Sequence, residues 1–162
     1  MNRRNMLLAI AATSVLPISG VAMAQTASLE KGKMDALMGG DYATATSQLA
    51  SRKARNRLVK TFAELEITEQ AAVAKAFGSR PGAAGLSRRH AMLLEKLAAT
   101  DGTNFDMMYI NGQIAGHEEL LSIHKRYARS GSDPMARGAS MVGVPAIQSH
   151  LVMLRGMRGM LS

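Results

Sequence analysis

The stretch from Asn104 to His124 constrains the fold of this chain more than any other part. Its apolar residues recur at spacings of three and four, the period of one face of an α-helix. This apolar stripe consists of Met107, Ile110, Ile114 and Leu121. His117 falls on the same stripe, and a buried histidine needs a polar partner because an unpaired polar group in a core costs free energy. The stretch therefore predicts a long core helix that carries a polar site.

The rest of the chain has the same helical period, and no segment alternates with the period of a strand. The predicted helices cover residues 34–51, 56–77, 86–99, 105–129 and 134–160. Long amphipathic helices joined by short links favour an all-α fold. We expect an antiparallel four-helix bundle with one extra short helix.

Several residues predict where these helices begin, bend or break. Asn104 and Asp133 are the expected N-caps of the last two helices. Gly39 and Gly40 predict a break or a bend in the first helix, because each glycine costs roughly 1 kcal/mol relative to alanine inside a helix. Pro145 predicts a kink or a restart in the last helix.

The N-terminus has the form of an export signal. Arg3 and Arg4 precede an apolar stretch of small residues, and the tripeptide at 22–24 (Ala-Met-Ala) matches an A-x-A cleavage site. We expect cleavage after Ala24, so that residues 25–162 form a single periplasmic domain. The general secretory route is favoured, and the arginine pair makes the twin-arginine route the alternative.

Composition limits the partners of the mature chain. Without Arg3 and Arg4 it has 18 Lys and Arg residues against 12 Asp and Glu, a net charge of +6. In an exported protein this charge suggests contact with an anionic membrane surface or another envelope component, and a solvated basic surface is the alternative. Aromatic residues make up only 4% of the chain, too few for stacking on nucleic acid, so no nucleic-acid partner is expected. The oligomeric state stays open.

Two more helices carry a polar residue at a position that the apolar period assigns to the core. On the second helix, Glu69 lies within a predicted seam, and Glu66 lies one turn earlier at its edge. That seam consists of Leu58, Phe62, Leu65, Glu69, Ala72 and Ala76. On the last helix, His150 lies in a seam that consists of Ile147, His150, Leu154, Met157 and Leu161. Three facing helices would thus each contribute one polar side chain.

Glu69, His117 and His150 are the predicted ligands of one metal ion. Helical bundles bind metals through inward carboxylates and imidazoles, and this donor set suits zinc or iron. The predicted supporting residues, which would orient those ligands, are Glu66, Asp106, Tyr109 and Gln113. The other two histidines, His90 and His124, are expected on solvated faces.

Two alternatives to metal binding are open. The three polar residues could hydrogen-bond to one another and only fix the packing of the helices, as in a structural or interaction protein. A metal-dependent oxidase or hydrolase is the third interpretation. A nucleophile-based enzyme is not supported, since the chain has no cysteine, no G-x-S-x-G sequence and no phosphate-binding loop.

Three segments carry a family resemblance: LASRKARNRLVKTFAELEITEQ, FDMMYINGQIAGHEELLSIH and VPAIQSHLVML. With the export signal, they resemble the bacterial family catalogued as domain of unknown function 4142, whose members are often labelled predicted outer membrane proteins. The resemblance implies a ferritin-like four-helix bundle. The residues that match the family pattern are Asp106, Tyr109, Gln113, His117, Pro145 and His150.

This chain departs from the family pattern at two places. Members commonly carry a carboxylate on the first helix, near Ala43 and Ala45 of this sequence, and an Asp-His pair where this sequence has Glu69 and Gln70. The departures disfavour a di-metal site. They leave a site for one metal, or none, as the expectation.

Overall fold

The computed structural model describes the backbone of residues 19–161 and the side chains of residues 31–161. Within that range the fold is all-α, with five helices and no strand. The helices are α1 (Ser19–Lys53), α2 (Arg57–Ala76), α3 (Arg88–Ala98), α4 (Gly102–Ser130) and α5 (Pro134–Leu161). Most of the predicted signal peptide lies outside the described residues, and its cleavage after Ala24 stays a prediction. Among the described residues, no helix is long and apolar enough to span a bilayer.

Four helices form the bundle, because α1 and α5 each contact both α2 and α4. The short α3 packs on the outside against α1 and α4. Helices α1 and α4 are antiparallel. Gly39 of α1 lies next to Leu120 of α4, whereas Ser47, further along α1, hydrogen-bonds to Tyr109, which is earlier in α4. The three-residue link between α1 and α2 also reverses the chain, so α2 and α4 both run opposite to α1. The connection between them, which contains α3, therefore crosses the length of the bundle, although a ferritin-like topology stays a prediction.

The apolar core consists of two clusters, and buried polar residues lie among its side chains. The larger cluster lies near the end where α1 meets α2 and includes Phe62, Phe105, Ile110 and Leu154. The smaller cluster lies towards the opposite end and is built around Phe77, Ile123 and Tyr127. Burial of these apolar side chains supplies the main stabilising free energy, at about 25 cal/mol per Å² of apolar surface.

Helix α1 continues through Gly39 and Gly40, so the predicted break does not occur there. A Cβ atom at Gly39 would lie 2.7 Å from Cδ2 of Leu120, and one at Gly40 would lie 2.6 Å from Oε1 of Gln70. The two glycines therefore let α4 and α2 approach α1 closely. The favourable contacts outweigh the intrinsic helix penalty of the glycines.

The predicted seam of α2 is wrong by about one residue. Leu58 and Leu65 are more than half exposed. The buried face instead consists of Val59, Phe62, Ala63, Glu66, Gln70 and Ala74. The two faces are adjacent on the helix and similarly apolar, so periodicity alone favoured the one that the other helices do not cover.

Of the two predicted N-caps, the structure confirms Asp133 but not Asn104. Oδ1 of Asp133 accepts hydrogen bonds from the backbone N–H groups of Met135 and Ala136, which confirms Asp133 as the cap of α5. Helix α4 begins three residues earlier than predicted, with Asp101 at the cap position and Asn104 inside the first turn. Helix α5 continues through Pro145 and does not restart there.

Candidate metal site

Three buried polar atoms from three helices converge in the interior of the bundle. Glu66 of α2, His117 of α4 and His150 of α5 are 0%, 1% and 8% exposed. Oε2 of Glu66 lies 3.4 Å from Nε2 of His117 and 3.2 Å from Nδ1 of His150. The two ring nitrogens lie 3.2 Å from each other. The atoms thus form a nearly equilateral triangle.

The hydrogen bonds around His117 determine what its inner nitrogen offers. Nδ1 of His117 lies 2.8 Å from the backbone carbonyl oxygen of Gln113, so Nδ1 carries the proton because a carbonyl oxygen only accepts. In the neutral ring, Nε2 then points an unprotonated lone pair at Glu66 and His150. Oε2 of Glu66 has no hydrogen bond of good geometry among the described residues. Two acceptor atoms therefore face each other, an arrangement that a shared cation would stabilise.

Each of the three side chains is also fixed from behind. Nε2 of Gln70 donates a hydrogen bond of 2.9 Å to Oε1 of Glu66, one turn away on α2. Nε2 of His150 lies 3.3 Å from Oε2 of Glu69. Together with the carbonyl of Gln113 behind His117, these contacts match the outer hydrogen bonds that orient ligands in metal sites.

The triangle has the dimensions of a metal site. Ligand atoms of a tetrahedral zinc ion lie about 3.3–3.4 Å apart, because each bond to nitrogen or oxygen is about 2.0–2.1 Å long. The three observed separations are 3.2, 3.2 and 3.4 Å. Glu66, His117 and His150 could therefore hold one metal ion with little movement.

The charges of the site depend on burial and hydrogen bonding. Burial alone would raise the pKa of Glu66, but the rings of His117 and His150 beside its Oε2 atom outweigh burial and lower that pKa to about 2. The Glu66 carboxylate beside Nδ1 raises the pKa of His150 despite burial. Burial raises the pKa of the more exposed Glu69. Glu66 is thus held as an anion, ready to bind a cation.

Of the three predicted ligands, the structure brings His117 and His150 together and places Glu69 behind His150. The carboxylate at the centre belongs to Glu66, which the sequence analysis placed at the edge of the seam. Gln70, which supports Glu66, was not predicted at all. The signal for both lies in the sequence, since Val59, Phe62, Glu66 and Gln70 also recur at spacings of three and four.

The predicted supporting residues of α4 mostly connect α4 to α1 and α2. The carboxylate of Asp106 accepts the backbone N–H groups of Arg55 and Asn56, where α1 meets α2. The hydroxyls of Tyr109 and Ser47 are 2.8 Å apart. The side chain of Gln113 donates to hydroxyls of α1, and only its backbone oxygen reaches the site.

The other two histidines are not solvated as predicted. His124 is 4% exposed, and its Nδ1 atom lies 3.1 Å from the hydroxyl of Ser140. Burial lowers the pKa of His124 to about 4. His90 is half-buried and stacks on Tyr42, with ring centroids 4.4 Å apart. His124 continues the apolar stripe of α4, and the basic residues after it, Lys125 and Arg126, were a misleading sign of solvent exposure. The packing of α3 against α1 and α4 partly covers His90.

The comparison with protein families identifies the family of this chain. The family model described as Domain of unknown function (DUF4142) matches residues 19–157, which is most of the chain and includes all three residues of the triangle. The chain belongs to this family. The resemblance found in the sequence is thereby confirmed, and the family description itself assigns no activity. Comparisons with curated proteins and with solved structures found no match.

Proposed function

We propose that this protein is an exported helical bundle that binds one transition-metal ion through Glu66, His117 and His150. The observation that carries the proposal is the triangle of Oε2, Nε2 and Nδ1, whose edges of 3.2–3.4 Å suit a single ion. Glu69, first considered as a ligand, would instead accept a hydrogen bond from the Nε2–H group of His150 and hold its ring in place.

The donor set suits zinc or iron. Two imidazoles and one carboxylate bind zinc in several enzymes, and the same set binds ferrous iron in many oxygenases. Both cases leave at least one coordination position for water or another ligand. The ring of Phe62 packs against both histidine rings, with its centroid 5.3 Å from that of His150 and 6.0 Å from that of His117. An open coordination position on the Phe62 side of the metal would therefore have an apolar neighbour.

A packing role is the second candidate, and one observation favours it. The three residues already contact one another and are supported by Gln70 and Gln113. A buried polar cluster of this kind can fix the register of the helices without any ion. A redox or hydrolytic activity would require the metal, so it depends on the first proposal.

Metal content separates the two candidates. The mature chain, residues 25–162, would be purified without a tag, incubated with zinc or with cobalt, and analysed by elemental mass spectrometry and visible absorption. We expect about one metal per chain and the cobalt spectrum of a four-coordinate site. Glu66→Gln, which keeps the shape of the side chain, should abolish both. A folded wild-type chain that binds neither ion would support the packing role.

Export is proposed separately, on the strength of the arginine pair and the A-x-A sequence that ends at Ala24. Mass spectrometry of the protein recovered from the periplasm should find an N-terminus at Gln25. An intact N-terminus in the cytoplasmic fraction would contradict export. Contact with an anionic envelope surface stays a prediction.

A further inference from the structure

A cavity of about 320 Å³ lies between α1, α3 and α4, on the side of the bundle where α3 packs. Its volume is at the lower end of the range found for small-molecule sites. Its walls are mainly apolar, with Leu93, Leu97 and Met108 among them. The stacked rings of Tyr42 and His90 form a flat aromatic part of the wall.

The floor of the cavity depends on two glycines in α4. Gly112 and Gly116 lie one turn apart in the middle of the helix, where each glycine costs about 1 kcal/mol relative to alanine. No heavy atom outside its own helix lies within 4 Å of the Cβ position of Gly116, and the nearest to that of Gly112 is 3.7 Å away. Close packing therefore does not require glycine at either position, unlike at Gly39 and Gly40. The absence of side chains keeps the cavity open.

The polar groups of the cavity differ between floor and rim. At the floor, Gln113 donates a hydrogen bond to Thr46, so these groups already have partners. At the rim, Arg89 and Lys96 of α3 stand against a single acid, Glu119 of α4. Nη1 of Arg89 lies 3.7 Å from Glu119, and both side chains are more than half exposed, so this ion pair is weak. The rim is left with an excess of positive charge.

We propose that this cavity binds a small organic anion with an apolar or aromatic body. The apolar walls and the Tyr42 ring would cover the body, and Arg89 and Lys96 would pair with the carboxylate or sulfonate at the rim. None of the three residues of the metal triangle lines the cavity, so a ligand could bind there whether or not metal binds. Gln113 contacts both places, with its side chain in the cavity and its backbone oxygen behind His117.

The test uses 8-anilinonaphthalene-1-sulfonate, an aromatic sulfonate whose fluorescence rises in an apolar site. The metal-free mature chain should bind one molecule per chain with saturable fluorescence. Gly116→Phe fills the cavity from a position with free space and should weaken binding at least tenfold. Arg89→Gln combined with Lys96→Gln should weaken binding several-fold and reduce its dependence on salt.

Gly138→Phe is the matched control, because Gly138 also has free space around its Cβ position but lies on α5, away from the cavity. This variant should bind the dye as the wild type does. The proposal is overturned if the wild-type chain shows no saturable binding. It is also overturned if Gly116→Phe binds as tightly as the wild type, which would place the dye elsewhere, for example on the exposed apolar residues of α5 such as Val142 and Val152. Circular dichroism of each variant verifies that the bundle is folded.

Discussion

Nε2 of His117 and Nδ1 of His150 lie 3.2 Å apart in the interior of the bundle, and the carboxylate of Glu66 contacts both. A polar cluster in this position costs free energy unless its charges and lone pairs are matched. On the outer side, the Nδ1–H group of His117 donates a hydrogen bond to the carbonyl oxygen of Gln113. The inner side is therefore rich in lone pairs, which accounts for its suitability for a cation.

Alanine substitutions are expected to have opposite effects at Gly40, where α1 and α2 are in close contact, and at Gly138, which is in open space on α5. Gly40→Ala would place Cβ 2.6 Å from Oε1 of Gln70, whose amide nitrogen holds Glu66. We expect a loss of about 1–3 kcal/mol in the free energy of unfolding from this overpacking. Gly138→Ala, in open space, should add about 0.5–1 kcal/mol. Urea denaturation measures both, and a stabilised Gly40→Ala chain would show that the contact relaxes at no cost.

Asp106 is expected to stabilise the junction of α1 and α2 without taking part in metal binding. Its two carboxylate oxygens accept hydrogen bonds from the backbone N–H groups of Arg55 and Asn56. An asparagine would instead point its NH₂ group, a donor, at one of these N–H donors. Asp106→Asn should lower the free energy of unfolding by about 1–3 kcal/mol.

Asp101→Asn is the control for Asp106→Asn. Asp101 forms an ion pair with Lys53, but its side chain is 82% exposed, so this pair should contribute little to the free energy of unfolding. Zinc affinity of Asp106→Asn should equal that of the wild type in a competition titration with a chelator. A large fall in affinity would restore Asp106 to the supporting role that its sequence position suggested.

The burial of His124 predicts that the protein loses stability in mild acid. Burial holds the pKa of the folded His124 at about 4, below the ordinary 6.5, so the folded ring stays neutral while the unfolded ring takes up a proton. The contribution of His124 to stability is complete above pH 6.5 and is lost as the pH falls towards 4. The two pKa values correspond to about 3 kcal/mol.

The measurement compares the wild type with His124→Gln, which cannot titrate and keeps a polar group near Ser140. Urea denaturation between pH 7 and pH 4 should show the wild type losing more stability than the variant. Equal losses would mean that the buried ring gains a proton in the folded chain without cost.

The helices could be predicted from the sequence, because the spacing of apolar residues and the cap at Asp133 are local signals. The register of α2 could not, since two neighbouring faces were almost equally apolar and only the positions of α1 and α5 decide which one is buried. Other contacts between helices account for the unbroken helix at Gly39 and Gly40 and for the burial of His124. Propensity is a weak guide where another helix approaches closely.

The residues of the candidate site were likewise predicted only in part. His117 and His150 were recognised because a histidine stands out on an apolar stripe. Glu66 and Glu69 both lie on α2 near that stripe, and periodicity alone could not tell which carboxylate points inwards. The three-dimensional packing places Glu66 between the rings and Glu69 behind one of them.

The central claim is that Glu66, rather than Glu69, is the carboxylate ligand of a metal site with His117 and His150. The most direct measurement is the zinc affinity of the metal-free mature chain, compared with Glu66→Gln and Glu69→Gln by competition with a chelator. We predict one zinc per chain in the wild type, no specific binding in Glu66→Gln and a fall of about 10–100-fold in Glu69→Gln, which would lose only an orienting contact. Equal zinc affinity in the wild type and Glu66→Gln would contradict the account.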